Sequence, residues 1–294
     1  MNEVNPNLRA EMNKKDVIKK ICCCPYCHAS LSWNDHGCSC DGCKRNFSYL
    51  NGKICFNTDK TELTSDVKFH LSLLENKTLT AKSVRIARKL ISSEYEPHKQ
   101  LAEFLRQIGD KGIIVECGSG DRRLSENVVN VDFQPFEQVD IITDIRELPF
   151  CSESVDVVIF DTVLEHVEEP QQCINEAYRI LKPGGHVASV TPFIFPYHSY
   201  PKHYWNFSED GLQYLFRRFS HCKVEMNMGP TSALINLISE YIALAFSGRN
   251  ALFYLIFKGI ALTPIFFLKY LDRIWYKSEK AKQIAMCHFT LAKK

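Results

Sequence analysis

Residues Ile113 to Asp132 read IIVECGSGDRRLSENVVNVD. Ile113, Ile114 and Val115 are a short β-branched run, suited to a strand buried on both faces. The run ends in Glu116, and Gly118 and Gly120 follow with one residue between them. Glycines there let the chain turn sharply and bring main-chain N–H groups close to a ligand. A second apolar run, Val128 to Val131, closes on Asp132. A carboxylate at the tip of a second strand is where dinucleotide-type folds grip ribose hydroxyls.

Working outward, a third run (Val139 to Ile142) is followed by Asp144 in TDIRELPF, and a fourth (Val155 to Phe160) ends in Asp161 in SVDVVIFDTVLEH. ILKPGG, Ile180 to Gly185, closes a helix-like segment and precedes a strand-like stretch, His186 to Val190. Alternating strand and helix patterns imply a parallel sheet with helices on both faces and ligands outside the carboxyl ends of the strands. Glu116, Asp132, Asp144 and Asp161 all stand at such ends. They are poor core residues but good partners for a cationic, hydroxyl-rich cofactor.

The ordered series resembles the class I S-adenosylmethionine-dependent methyltransferases, in the small-molecule, type 11 branch whose hallmark words are LPF, LEHV and LKPGG. The resemblance covers roughly Ile113 to Phe219. It implies an α/β, Rossmann-like, seven-stranded sheet whose last strand is antiparallel. It also implies that Gly118 and Gly120 border the methionine part of the donor and that Asp132 takes the ribose hydroxyls. Asp144 and Ile145 would hold the adenine, and Asp161 would lie near the amino group or the transferred methyl. Two departures stand out. Asp121, followed by Arg122 and Arg123, replaces the usual third glycine, and the span from Gly120 to Asp132 leaves room for at most about two helical turns. So short a helix suits S-adenosylmethionine, which carries no phosphate, better than a dinucleotide.

Eight of the thirteen cysteines lie between Cys22 and Cys55. Cys24-Pro-Tyr-Cys27 and Cys40-Asp-Gly-Cys43 are two CxxC knuckles, which together offer a tetrahedral shell of four thiolates for structural Zn²⁺. The segment is too short for a core of its own, so the metal would supply folding energy. It is similar to a zinc ribbon, with Cys22 and Cys38 as competitors for a ligand place. The organisation expected is a loose polar tail over 1–20, the ribbon over 21–58, a helical connector over 59–110, and the methyltransferase domain over 111–294. Within the connector, Lys82, Arg85, Arg88 and Lys89 mark a basic amphipathic helix. Residues 229–285 form an apolar helical insert before the last strand, either a lid or an element touching a membrane surface through 231–277.

The N-terminal stretch has no apolar signal core, so a reducing, cytoplasmic setting is expected, with contact at the cytoplasmic membrane face as the variant. A net charge of +2 argues against a nucleic-acid partner. TPFIFPYHSYPKHYWNF, Thr191 to Phe207, is interrupted by Pro192, Pro196 and Pro201 and crowded with aromatics, as a small-ligand wall would be. A hydroxyl acceptor needs its proton removed, which makes His198, His203 and His166 the catalytic candidates. The leading expectation is a methyltransferase acting on a small or lipid-linked hydroxyl compound such as a glycan sugar. The rivals are an RNA methyltransferase and a non-catalytic zinc-ribbon scaffold.

Overall fold

The computed structural model describes residues 13–57, 92–109, 112–198, 202–248 and 250–294. The opening stretch forms two parallel strands, β5 (Ile114–Cys117) and β6 (Val128–Asp132), which pair Ile114 with Val128 and Cys117 with Val131. β7 is only Ile141–Ile142; β8 is Val155–Asp161 and β9 is Leu181–Pro192. β10 (Ser220–Met228) and β11 (Cys287–Lys293) complete the set. The order is β7-β6-β5-β8-β9-β11-β10, with β11 antiparallel to both neighbours. The strand between β9 and β10 is therefore the last in sequence and runs against the rest.

Alternate residues of the central strands serve two cores, as the pleat requires. Val115, Val129, Val158 and Phe160 pack with Cys173, Ile174, Ala177 and Ile180 of helix α3 (Pro170–Ile180). Ile114, Val128, Val157 and Ile159 face the other way, onto Leu101 and Phe104 of helix α2 (Lys99–Ile108). Helix α4 (Glu209–Leu215), capped by Ser208, adds Leu212 and Leu215 to the first core.

Among the described residues the sheet has eleven strands, more than the seven expected. The ribbon's strands β1 (Leu31–Asn34), β2 (Gly37–Cys40), β3 (Asn46–Leu50) and β4 (Lys53–Cys55) continue it. β4 pairs in parallel with β7, Ile54 to Ile141 and Cys55 to Ile142. The short edge strand β7 would otherwise present unpaired backbone groups to solvent, and β4 covers them. Residues placed in a loose tail also differ. Lys14–Ile21 is a helix, α1, capped by Asn13, and it buries Ile18 and Ile21 at a helical spacing. The basic helix expected around Lys82 to Lys89 lies outside the described residues.

The insert before β11 is helical, as the apolar runs imply. Helix α5 spans Pro230–Ser247, α6 spans Ala251–Leu262 and a short α7 spans Asp272–Trp275. Asp272 caps α5, accepting from the main-chain N–H groups of Thr231 (2.7 Å) and Ser232 (3.0 Å).

Phe56 shows how firmly ribbon and sheet are joined. It is 1% exposed, packs 4.9 Å from the Phe47 ring, and donates its N–H to Ile142 O at 2.8 Å. Phe56→Ala should cost about 3–5 kcal/mol, seen as a lowered urea midpoint of one cooperative transition. Two separate transitions, with only the first displaced, would contradict a joined ribbon.

Candidate active site and metal centre

The turn after β5 is shaped by its two glycines. Gly118 has φ +72°, and a Cβ there would meet Cγ2 of Val163 at 2.2 Å, so only glycine fits. Gly120 has φ +58° and open space where a side chain would project. Its N–H donates to Oδ2 of Asp132 at 2.9 Å, while Gln134 N–H donates to Oδ1 at 2.8 Å. Burial still leaves the Asp132 carboxyl above its usual range, against these bonds. No helix follows the turn: residues 118–127 pass straight to β6. Two arginines hold the loop instead. Arg123 reaches Asp140 at 3.1 Å and Gln138 O at 2.6 Å, and the Asn130 amide donates to Arg122 O at 2.7 Å.

Arg122 is the residue that sequence reasoning missed. Its guanidinium lies 2.6 Å from Oε1 of Glu116 and 2.8 Å from Oδ2 of Asp161, joining the ends of β5 and β8. His98, just before α2, approaches Asp161 at 3.1 Å. Burial raises the Asp161 carboxyl, but His98 and Arg122 outweigh it and hold the group below its usual range. Glu116 ends up raised, because burial outweighs its single arginine. Its Oε2 is buried without a hydrogen-bond partner among the described residues. Glu116 and Asp161 are thus gathered around one cation, with Asp132 tied to the neighbouring turn.

Asp144 stands apart from that group. Arg146 from its own turn engages both its oxygens, at 3.0 Å and 2.6 Å. It borders a cavity of about 410 Å³ that Phe133, Tyr26 and Asn57 also line. Ile145, expected against the adenine, is 6% exposed and packs in the core instead. The aromatic residues lining this cavity are Phe133 and, from the ribbon, Tyr26 and Phe56. The cavity at Asp144, the open face of Gly120 and the spare oxygen of Glu116 fit the adenosyl and amino ends of S-adenosylmethionine.

The ribbon brings Cys24, Cys27, Cys40 and Cys43 together, with all four Sγ atoms within 4.8 Å of one another. Cys24 and Cys43 are 3.7 Å apart and Cys27 and Cys40 3.3 Å. Zn–S bonds of about 2.3 Å set tetrahedral edges near 3.8 Å, so the donor set suits zinc. The Ala29 main-chain N–H and the Cys40 thiol draw Cys27 down to about 6. Cys22 and Cys38 are no competitors. The four sulfurs that converge among the described residues are those of Cys24, Cys27, Cys40 and Cys43, and neither Cys22 nor Cys38 joins them.

Past β8, the loop and a 3₁₀ turn (Leu164–His166) carry the histidines to one place. The His198 ring lies 5.0 Å from that of His166 and 4.4 Å from that of His203. His203 has both nitrogens in use: Nδ1 accepts from His198 N–H at 3.2 Å and Nε2 faces Trp205 O at 2.8 Å. It positions the loop. Tyr204 and Trp205 anchor that loop too, through Tyr204 N–H to Glu165 O (2.8 Å) and Trp205 Nε1 to Val167 O (2.9 Å). His198 opens onto a second cavity of about 740 Å³, shared with Tyr95, Phe195, Ser239 and Lys258. Glu165, also missed, is 1% exposed, and burial pushes its carboxyl up to about 8. Its only sequence signal was membership of LEHV.

Residues 120–189 match the family model described as a methyltransferase domain. The chain carries a class I S-adenosylmethionine-dependent methyltransferase domain. Within it lie Gly120, Asp132, Asp144, Asp161, Glu165 and His166. The chain is 32% identical over 84 residues to the arsenite methyltransferase of Halobacterium salinarum, covering 28% of this chain and 22% of that protein. It is 34% identical over 88 residues to a ubiquinone/menaquinone biosynthesis C-methyltransferase of Ruegeria, covering 30% of each. The matches therefore span less than a third of the length of these relatives. Among solved structures, phosphoethanolamine N-methyltransferase 2 of Haemonchus contortus aligns at 17% identity with a TM-score of 0.42, over 67% of this chain and 52% of that one.

Two outcomes follow for the methyltransferase site. Asp132→Ala removes the acceptor for Gly120 N–H and should weaken S-adenosylmethionine binding by about 2 kcal/mol, roughly thirtyfold in a calorimetric Kd. An unchanged Kd would place the donor elsewhere. Stripping the ribbon's metal with a chelator should release one zinc per chain and also weaken donor binding, because Pro25 and Tyr26 between the first two cysteines line the Asp144 cavity. Full donor affinity in the stripped protein would uncouple the two.

Proposed function

We propose that this protein transfers the methyl group of S-adenosylmethionine to a hydroxyl of a lipid-linked acceptor at a membrane surface. Asp132, the turn at Gly118 and Gly120, and the Glu116–Asp161 pair would hold the donor. The donor's positive end is attracted by the same carboxylates that bind Arg122, so donor entry displaces a flexible, partly exposed side chain. Bound donor supplies an electrophilic methyl on sulfur. The protein's task is to align an oxygen behind that methyl and deal with the hydroxyl proton. Glu165, His166 and His198 are the polar groups gathered between the donor side and the larger cavity.

The observation carrying the acceptor class is the hairpin of α5 and α6, which is built inside out. α5 buries Ser232, Ala233, Asn236, Ser239, Ala243 and Ser247, with Ile235 as the one large apolar side chain among them. Towards solvent it turns Leu234, Leu237, Ile238, Tyr241, Leu244 and Phe246, with Tyr241 74% and Leu244 67% exposed. α6 exposes Leu252, Phe253, Leu255, Ile256 and Ile260. A helix in water does the reverse. Small residues inside and large apolar residues outside is the arrangement of helices packed in lipid. The hairpin's charges are also satisfied internally, Glu240 pairing with Lys258 and with Tyr254 across the two helices.

No single described helix is long and apolar enough to cross a membrane, although Leu252–Leu262 and Phe266–Trp275, bent by 55°, pass together on length and composition. An interfacial seat, with exposed Arg273, Trp275 and Lys277 at the head groups, fits those dimensions. The same wall that meets lipid borders the cavity holding His198, so a lipid-linked acceptor reaches the site without leaving the bilayer.

The protein should float with anionic liposomes, and Leu244→Asp with Leu255→Asp should leave it in the pellet fraction, since each aspartate costs about 2.5–3.5 kcal/mol in apolar surroundings. With methyl-labelled donor and membrane extract, label should enter the organic phase. Label in RNA or in soluble compounds, or wild-type protein that never floats, would overturn the lipid-linked acceptor. Absence of any donor binding by calorimetry would leave a scaffold built on Arg122-filled carboxylates.

A further inference from the structure

We infer that Glu165, His166 and His198 form a second metal site, for a divalent transition-metal cation, separate from the cysteine ribbon. One ligand atom from each of the three lies within 4.8 Å of the others. One carboxylate and two imidazoles on one side of a centre, with the opposite positions open, is the donor set that divalent iron, manganese, cobalt and zinc accept.

Three independent observations point to a ligand. First, the Glu165 side chain is 1% exposed, yet neither of its oxygens has a hydrogen-bond partner among the described residues. A buried carboxylate left so is costly, and a cation against it removes the cost. Second, both imidazoles are held in the manner of metal ligands. Nδ1 of His166 sits 2.5 Å from Lys202 O and Nδ1 of His198 sits 3.3 Å from Pro196 O. A carbonyl can only accept, so each Nδ1 carries the proton and each Nε2 keeps a free lone pair. Ring nitrogens opposite a metal are typically tied to carbonyls in this way. Third, the free Nε2 of His166 points back toward Glu165, 3.9 Å from Oε1, with room for an ion's bonds between them. His203 makes a useful contrast: it belongs to the same ring cluster, but both its nitrogens are spent on the loop's own backbone.

The site's use rests on the methyl-transfer reading above; its existence does not. An acceptor hydroxyl on an open coordination position would be acidified and lose its proton to solvent. The oxygen then attacks the donor methyl. As the O–CH₃ bond forms, the S–CH₃ bond breaks, and its electron pair returns to sulfur to leave a neutral thioether.

The test uses the full chain with zinc in its ribbon, titrated with Mn²⁺, a cation that thiolates hold poorly. Free Mn²⁺ is followed by electron paramagnetic resonance, with no methyl donor or acceptor present. One Mn²⁺ per chain should disappear from the free signal. Glu165→Gln, which keeps the side-chain shape, and His198→Ala, on a partly exposed loop, should each weaken binding at least about tenfold while zinc content and circular dichroism stay unchanged. The inference is overturned if free Mn²⁺ rises in proportion from the first addition up to roughly 1 mM, the weak end of divalent-cation sites. It is equally overturned if both variants bind as the wild type does. A failed titration leaves methyl transfer standing, and failed methyl transfer leaves the titration standing.

Discussion

Buried acid at the carboxyl ends of parallel strands is the constraint on which the rest of the structure depends. The side chains of Glu116 and Asp161 are fully buried within reach of one guanidinium. Taking away one partner of such a group costs several kcal/mol, because the remaining charge is stranded out of water. The turn after β5 follows from this. A helix there would carry residues 121–127 away over the sheet, whereas an irregular loop lets Arg122 reach inward and Arg123 reach sideways to Asp140. The irregular loop in place of a helix and the inward reach of Arg122 are then one feature. A cofactor with a positive end can take over that arginine's work.

That constraint also explains what the sequence could and could not reveal. Strand ends, glycines and the order of motifs are local signals. They were enough for the sheet, its antiparallel last strand, and the positions of Glu116, Asp132 and Asp161. Arg122 and Glu165 were legible only as neighbours of motifs, because their importance comes from residues that the fold brings close from far along the chain. Ile145 was misread for a related reason. Its place next to Asp144 says nothing about direction, and in the fold it turns into the core. The pairing of β4 with β7 could not be read at all. It depends on two short edges meeting, with no periodicity long enough to announce it.

The ribbon's attachment has a chemical side. Cys24 and Cys27 hold Pro25 and Tyr26 between them, and those two residues sit on the cavity beside Asp144. A knuckle closed on metal is a rigid wall, and the same knuckle without metal is a loose loop. A zinc held by all four thiolates would have no position open to substrate. Their influence on chemistry is through shape. A zinc held by these cysteines would therefore be built into the same sheet as the methyltransferase strands, and not hung from it on a linker.

At the opposite edge, the α5–α6 hairpin follows a different pattern of burial from the central sheet. In the central sheet the large apolar side chains of the strands point inward. Here they point outward, over two helices in succession, and the serines and the asparagine point in. A single exposed leucine means little, since folded proteins expose much apolar surface. A sustained inversion cannot be explained as an economy of packing, because exchanging the two faces of α5 would bury more apolar area with the same composition. The inversion is stable only where something apolar covers the outer face. The hairpin's internal Glu240–Lys258 pair fits the proposed lipid contact on the same terms: in water a partly exposed ion pair contributes little, whereas beside lipid each charge would need its partner.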